Sequence, residues 1–116
     1  MEANKEILEE ANAAISEGDH EKFLSFCTDD TVWHFIGEQT LEGKQTVREY
    51  MQQAYLEPPR FDVEQLICEG DFVTALGKIS LKEKDGDWMD YQYCDVWRLK
   101  EGKLHELKAF VVEVKS

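Results

Sequence analysis

The sequence predicts an α+β fold in which three N-terminal helices pack on the concave face of a curved, mostly antiparallel sheet. Three observations carry this expectation. Apolar residues in the front half recur at helical spacing. The back half is a succession of β-branched and aromatic stretches. Short turns separate those stretches, at Glu69-Gly70-Asp71, Asp85-Gly86-Asp87 and Glu101-Gly102, so neighbouring strands should pair antiparallel. Helices first and strands after them imply helices gathered on one face of the sheet.

The elements follow in order. Ile7, Leu8, Ala11, Ala14 and Ile15 give a helix over about 3–16, ended by Gly18. Asp19 is a cap for a second, short helix whose buried stripe is Phe23, Leu24, Phe26 and Cys27. Thr28-Asp29-Asp30 breaks that pattern, and Thr31 to Ile36 reads as a strand. Gly37 to Gly43 is a polar connection. Val47, Tyr50, Met51, Ala54 and Tyr55 share a helical face over about 44–55, and Pro58-Pro59 stops that helix. Strands are expected over Phe61 to Cys68, Phe72 to Lys84, Trp88 to Leu99 and Lys103 to Val114. Long strands twist and curl, and a curled sheet closed by helices encloses a conical space suited to a small molecule.

A length of 116 residues suits one domain, here 1–116, and 42% hydrophobic residues suffice for a core. The net charge is −12, from 25 acids and 13 bases. Nucleic acid and anionic membranes both call for a basic face, so neither is an expected partner. Cys27, Cys68 and Cys94 are odd in number and widely spaced, which signals neither a disulfide framework nor a zinc site. Thiols of this kind fit a reducing cytoplasm. The polar N-terminus and the shortness of every apolar run give no sign of a secretion signal or a membrane span.

Asp95 is the most informative residue. On the strand Trp88 to Leu99 it shares a face with Met89, Tyr91, Tyr93, Trp97 and Leu99. A carboxylate among large apolar side chains is costly unless paired, hydrogen-bonded or protonated. Such a group lines a pocket, or else sits at a wet sheet edge or pairs with a base. Tyr93, two residues away on the same face, is the candidate second donor. His34 is the second anomaly. Both faces of its strand are apolar, with Val32 and Ile36 on one and Trp33 and Phe35 on the other, so alternation leaves its direction open. Inward, His34 is an imidazole able to move a proton near neutral pH. Outward, it is a core or dimer-surface histidine. Facing each other, His34 and Asp95 would form an acid-base pair. No serine or cysteine stands in a nucleophile motif, so general acid-base chemistry is the enzyme reading that remains.

Tyr50, Tyr55, Tyr91, Tyr93, Trp97 and Phe110 are aromatic candidates for the wall of a pocket taking a flat, largely apolar ligand. His20 is expected at an exposed helix start and His105 at the rim. Three scattered histidines make no metal site, and no glycine-rich phosphate loop is present, so no cofactor is expected.

Ala-Ile-Ser-Glu-Gly-Asp (14–19), Phe-Cys-Thr-Asp-Asp-Thr-Val-Trp-His (26–34) and Leu-Glu-Gly-Lys (41–44) form one set of motifs. Cys-Asp-Val-Trp-Arg-Leu (94–99), Glu-Gly-Lys-Leu (101–104) and Leu-Lys-Ala-Phe (107–110) form another. Together they resemble the SnoaL-like and steroid Δ-isomerase-like branch of the nuclear transport factor 2 superfamily, over nearly the whole chain. The resemblance implies a cystatin-like α+β cone. It implies a pocket holding a small apolar ligand, lined also by Ala109, and a homodimer. It hosts isomerases, cyclases, dehydratases, epoxide hydrolases and non-catalytic binding domains.

Residue by residue, the resemblance to steroid isomerases places His34 where that family keeps an aspartate base. Asp95 falls where it keeps a protonated aspartic acid in the oxyanion hole, a known example of a carboxyl held neutral by an apolar site. The family's oxyanion tyrosine falls at Ala11 and is missing. Tyr93 stands where epoxide-hydrolase relatives carry an arginine. Polyketide cyclases and scytalone-dehydratase-like members use His and Asp as acid and base, which suits His34 with Asp95.

Two functions are therefore expected. One is a small-molecule pocket acting by proton transfer beside a carbonyl, in isomerisation, cyclisation or dehydration. The other is a non-catalytic ligand-binding or dimerisation domain, with Gln92, Cys94, Val96 and Arg98 forming a sheet-to-sheet contact.

Overall fold

The structure is a computed structural model and describes residues 2–114. Helix α1 spans Glu2–Ser16. Leu8, Ala11, Ala14 and Ile15 form its buried stripe. It ends in a Schellman turn: Gly18 takes a φ of 77°, Asp19 N–H donates to Ala14 C=O at 2.9 Å, and Gly18 N–H donates to Ile15 C=O at 3.0 Å. The Asp19 carboxylate accepts from Lys22 N–H at 3.1 Å and caps α2, His20–Leu24. That helix buries Phe23 and Leu24.

Strand β1, Cys27–Phe35, begins earlier than the sequence suggests. Cys27 is a buried strand residue rather than the end of a helical stripe. Thr31 is fully buried, and its hydroxyl donates to His105 C=O at 3.0 Å. The polar connection contains a short strand, β2, Gln39–Glu42, paired antiparallel with β1. Helix α3, Lys44–Ala54, buries Val47 and Met51. Four long strands follow: β3 (Arg60–Glu69), β4 (Phe72–Lys82), β5 (Trp88–Lys100) and β6 (Lys103–Glu113).

The six strands form one sheet in the order β2-β1-β6-β5-β4-β3. All pairings are antiparallel except β1 with β6, which are parallel. The register places Trp33 and Phe35 of β1 beside Leu107 and Ala109 of β6. Across β5, Trp97 faces Leu107 and Val73, and Asp95 faces Ala109 and Ala75. The apolar side chains of this face meet Leu8, Phe23, Val47 and Met51 from the helices to make the core. The α+β cone expected from the sequence is the fold of the chain.

Candidate functional site

The core does not fill the cone. A cavity of about 230 Å³ remains between the concave face and the helices. Tyr91, Tyr93, Asp95 and Trp97 of β5 line one side, with Ala75, Ile79 and Leu81 of β4 beyond them. Trp33 and Phe35 of β1 and Leu107, Ala109 and Val111 of β6 line the other. Tyr50 of α3 and Tyr55, which caps its C-terminus, close it. Its aromatic wall is built from edge-on rings. Trp33 meets Phe23, Phe35, Tyr50 and Trp97 at centroid distances of 5.7, 6.0, 6.4 and 5.9 Å.

Asp95 has its place in this cavity because of its neighbours. Both residues opposite it in the sheet, Ala75 and Ala109, are alanines. Their small side chains leave space around the carboxyl, and no described residue donates a hydrogen bond to it. Burial raises its pKa to about 7. The acid therefore changes its protonation state in the neutral range while set in an aromatic wall.

Neutral tyrosines share the cavity with it. Burial, with the charges of Tyr50 and Asp95, raises the Tyr55 pKa well above that of a free phenol. Burial lifts Tyr93 to about 12, helped by Asp95, Asp62 and Glu64. Tyr93 shares the cavity with Asp95, but its ring lies over Gly77 toward β3, and it makes no hydrogen bond to the carboxyl among the described residues. Trp33 is 2% exposed, and its Nε1 is buried without a hydrogen-bond partner.

The structure corrects the expected pairing of His34 with Asp95. The large rings Trp33 and Phe35 take the concave side of β1, so alternation turns His34 to the convex side. There its Nε2 donates to Glu106 Oε2 at 3.1 Å, and Nδ1 lies 3.3 Å from Thr40 Oγ1. Burial opposes ionisation of Glu106, yet hydrogen bonds from His34 and Arg98 hold its pKa below the usual glutamate value. Phe110 is corrected likewise: it lies opposite Cys94 on the convex face and is 43% exposed. His20 is half-buried, edge-on to Tyr55 at 6.2 Å. His105 lies beside Thr28 and Asp30, outside the cavity.

Two polar residues of the cavity were not anticipated. Ala11, where the steroid-isomerase tyrosine would fall, is packed in the core, and its neighbour Asn12 lines the cavity instead. Glu38, in the β1–β2 turn, stands at the mouth. Asn12 carried a usable signal, because it follows Leu8 by four residues and precedes Ile15 by three, within the apolar stripe. Glu38 carried none, being one acid among many in a polar turn. Among the described residues no group of His, Cys, Asp and Glu is arranged to hold a metal ion, and no helix is long and apolar enough to cross a membrane.

Helices closing a curled sheet over an aromatic cavity define a nuclear transport factor 2-like cone. The chain belongs to the SnoaL-like domain family, which it matches over residues 8–107. Among solved structures, it is similar to SalBIII, an epoxide hydrolase/cyclase-like enzyme in pyran ring formation in the polyether salinomycin. That match has a TM-score of 0.86 at 21% identity, over 93% of this chain and 89% of the other. TerC, co-crystallised with polyporic acid, matches with a TM-score of 0.80 at 19% identity, over 93% and 90% of the two chains. A nuclear transport factor 2-like protein of unknown function from Burkholderia pseudomallei matches with a TM-score of 0.82 at 18% identity, over 94% and 90%. At these identities the likeness is one of fold. No curated protein matches the sequence.

Proposed function

We propose that the cone binds a small, flat, largely apolar molecule bearing a carbonyl, and that Asp95 handles a proton at that ligand. The observation that carries this reading is the unpartnered Asp95 carboxyl, held near pKa 7 in an aromatic cavity. In its acid form it donates a hydrogen bond to a carbonyl oxygen. As a carboxylate it takes a proton from the adjacent carbon and returns it, the step shared by isomerisation and enolisation. Tyr55 and Tyr93, both neutral, are the accessory donors. His34 has no part in this chemistry, since it lies on the other face of the sheet.

A second reading is a non-catalytic binding domain of the same fold. It is favoured by the loss of the expected imidazole, which leaves Asp95 as the one carboxyl deep in the cavity. In either case we propose a homodimer built on the convex face, where Cys94, Val96, Phe110 and Val112 form an apolar surface.

The test uses 2-tetralone, a flat bicyclic ketone with enolisable carbons. Binding is followed by the fluorescence of Trp33 and Trp97, and deuterium uptake at the carbon beside the carbonyl by NMR in D2O. The proposal expects saturable binding and accelerated exchange, with exchange lost in Asp95→Asn while binding persists. Binding without acceleration selects the non-catalytic reading. Ala109→Leu, which fills the space beside the carboxyl, should abolish binding in a protein that still folds. Absence of binding to the wild type would remove the pocket reading.

A further inference from the structure

The mouth of the cavity carries a charge pattern that the proton chemistry of Asp95 does not use. The residues lining the cavity include two acids, Asp95 and Glu38, and no lysine, arginine or histidine. Two further acids stand at the open edge of the concave face. Glu113 is the register partner of Tyr91 across β5 and β6. Glu83 follows the end of β4 and continues the inward series Ile79, Leu81. Three different elements thus bring Glu38, Glu83 and Glu113 to one rim, around the rings of Tyr50 and Tyr91. The hydroxyls of both tyrosines feel these carboxylates: burial first, then Glu38 and more weakly Glu83, raise the pKa of Tyr50, and burial, then Glu83, Glu113 and Glu38, raise that of Tyr91.

None of the three rim acids has a lysine or arginine partner among the described residues, so their charges are left for a ligand at the opening. The rim is more than an acidic cluster, because it surrounds an apolar, aromatic cavity in which the buried Asp95 carboxyl lacks a protein partner. Aromatic faces and carboxylates at one opening attract a cation through ring quadrupoles and through charge. A net charge of −12 adds a field of the same sign.

We infer that the site selects ligands by charge: its ligand is an apolar molecule carrying a protonated amine, seated at the rim of Glu38, Glu83 and Glu113, and carboxylates or phosphates are rejected. This rests on the reading of the cone as a small-molecule pocket and names the ligand class of that pocket.

Three probes of one skeleton test it: 2-aminotetralin, 2-tetralol and tetralin-2-carboxylate, titrated at pH 7 against the full chain. The amine should bind about tenfold tighter than the alcohol, and the carboxylate about tenfold weaker. The amine-to-alcohol ratio should shrink at high salt and in Glu38→Gln, and should persist in Asp95→Asn. Equal affinity for amine and alcohol overturns the charge selection while the pocket stands. A ratio lost in Asp95→Asn but kept in Glu38→Gln also overturns it, since the cation then sits on Asp95. Failure of all three probes to bind removes the pocket itself.

Discussion

Tyr93 lies directly against Gly77, its register partner on β4. A Cβ built on Gly77 would stand 2.9 Å from the Tyr93 hydroxyl oxygen, 3.1 Å from its Cζ and 2.2 Å from the backbone oxygen of Asp62. The missing side chain lets the ring cross β4 flat, beside the register shift of β3 between Val63 and Gln65. Gly77→Ala should therefore destabilise the fold. The ring can turn aside, but the Asp62 carbonyl is backbone and must shift with its strand. Overpacking of this kind costs about 1–3 kcal/mol. Denaturant unfolding should show a lowered midpoint at unchanged slope. A wild-type midpoint would show that β3 yields freely at this point.

Asp95 should impose a pH dependence opposite to that of most carboxylates. Its pKa is about 7 in the folded chain, against about 3.9 for an unfolded aspartate. At pH below about 3.9 both states hold the proton, and the residue costs nothing by linkage. As pH rises toward 7 the unfolded chain ionises first, so stability falls across that window and then levels off. The limit is about 4 kcal/mol. Tyr55 and Tyr93 share the cavity with the carboxyl as neutral phenols, and no cation lines the cavity to offset the loss. Exposed acids such as Glu21 and Glu57, with pKa values lowered by Arg48 and Lys82, act in the opposite direction. The informative quantity is the stability of the wild type minus that of Asp95→Asn at each pH. It should fall between pH 4 and 7. A flat difference would show that Asp95 titrates as an ordinary exposed acid.

The sequence held Asp95 and its face because the anomaly is local: one acid in an alternating row of rings can be read from a single strand. The same alternation failed at His34 because β1 is apolar on both sides. The concave side takes Trp33 and Phe35, and the convex side carries Val32 and Ile36 beside His34, so both sides read as apolar in the strand alone. Only the parallel pairing of β1 with β6 fixes which side faces the helices, and that contact joins residues some seventy positions apart. The edge strand β2 escaped notice for a different reason. Gln39, Thr40 and Glu42 are exposed, and Leu41 alone is buried, so it has no period to detect.

His34→Ala should leave the cavity intact. The imidazole bridges Glu106 and Thr40 on the convex face, with about a third of its side chain exposed. A surface pair of this sort contributes about 1 kcal/mol or less. The variant should fold with a small loss of stability and bind 2-tetralone with wild-type affinity. A large loss of affinity would mean that β1 transmits the change through the sheet to Trp33 and Phe35.

The convex face supplies the last expectation. Val112 is 67% exposed and Phe110 43% exposed, on the strand beside Gln92 and Cys94. Large side chains left this open on a sheet face lose little by facing water singly, but together they gain by burial against a second copy. Rows of Lys108, Arg98 and Glu106 flank them, and in a two-fold contact like surface meets like surface. A negative charge introduced at the centre of such a contact lies near its own copy across the two-fold and must be desolvated in both chains. If the proposed dimer forms through this face, Phe110→Asp should convert it to a folded monomer, seen as a halved mass by light scattering with an unchanged circular dichroism spectrum. Its cavity should still bind 2-tetralone, because position 110 points away from Asp95. A wild-type protein that is monomeric at high micromolar concentration would refute the dimer.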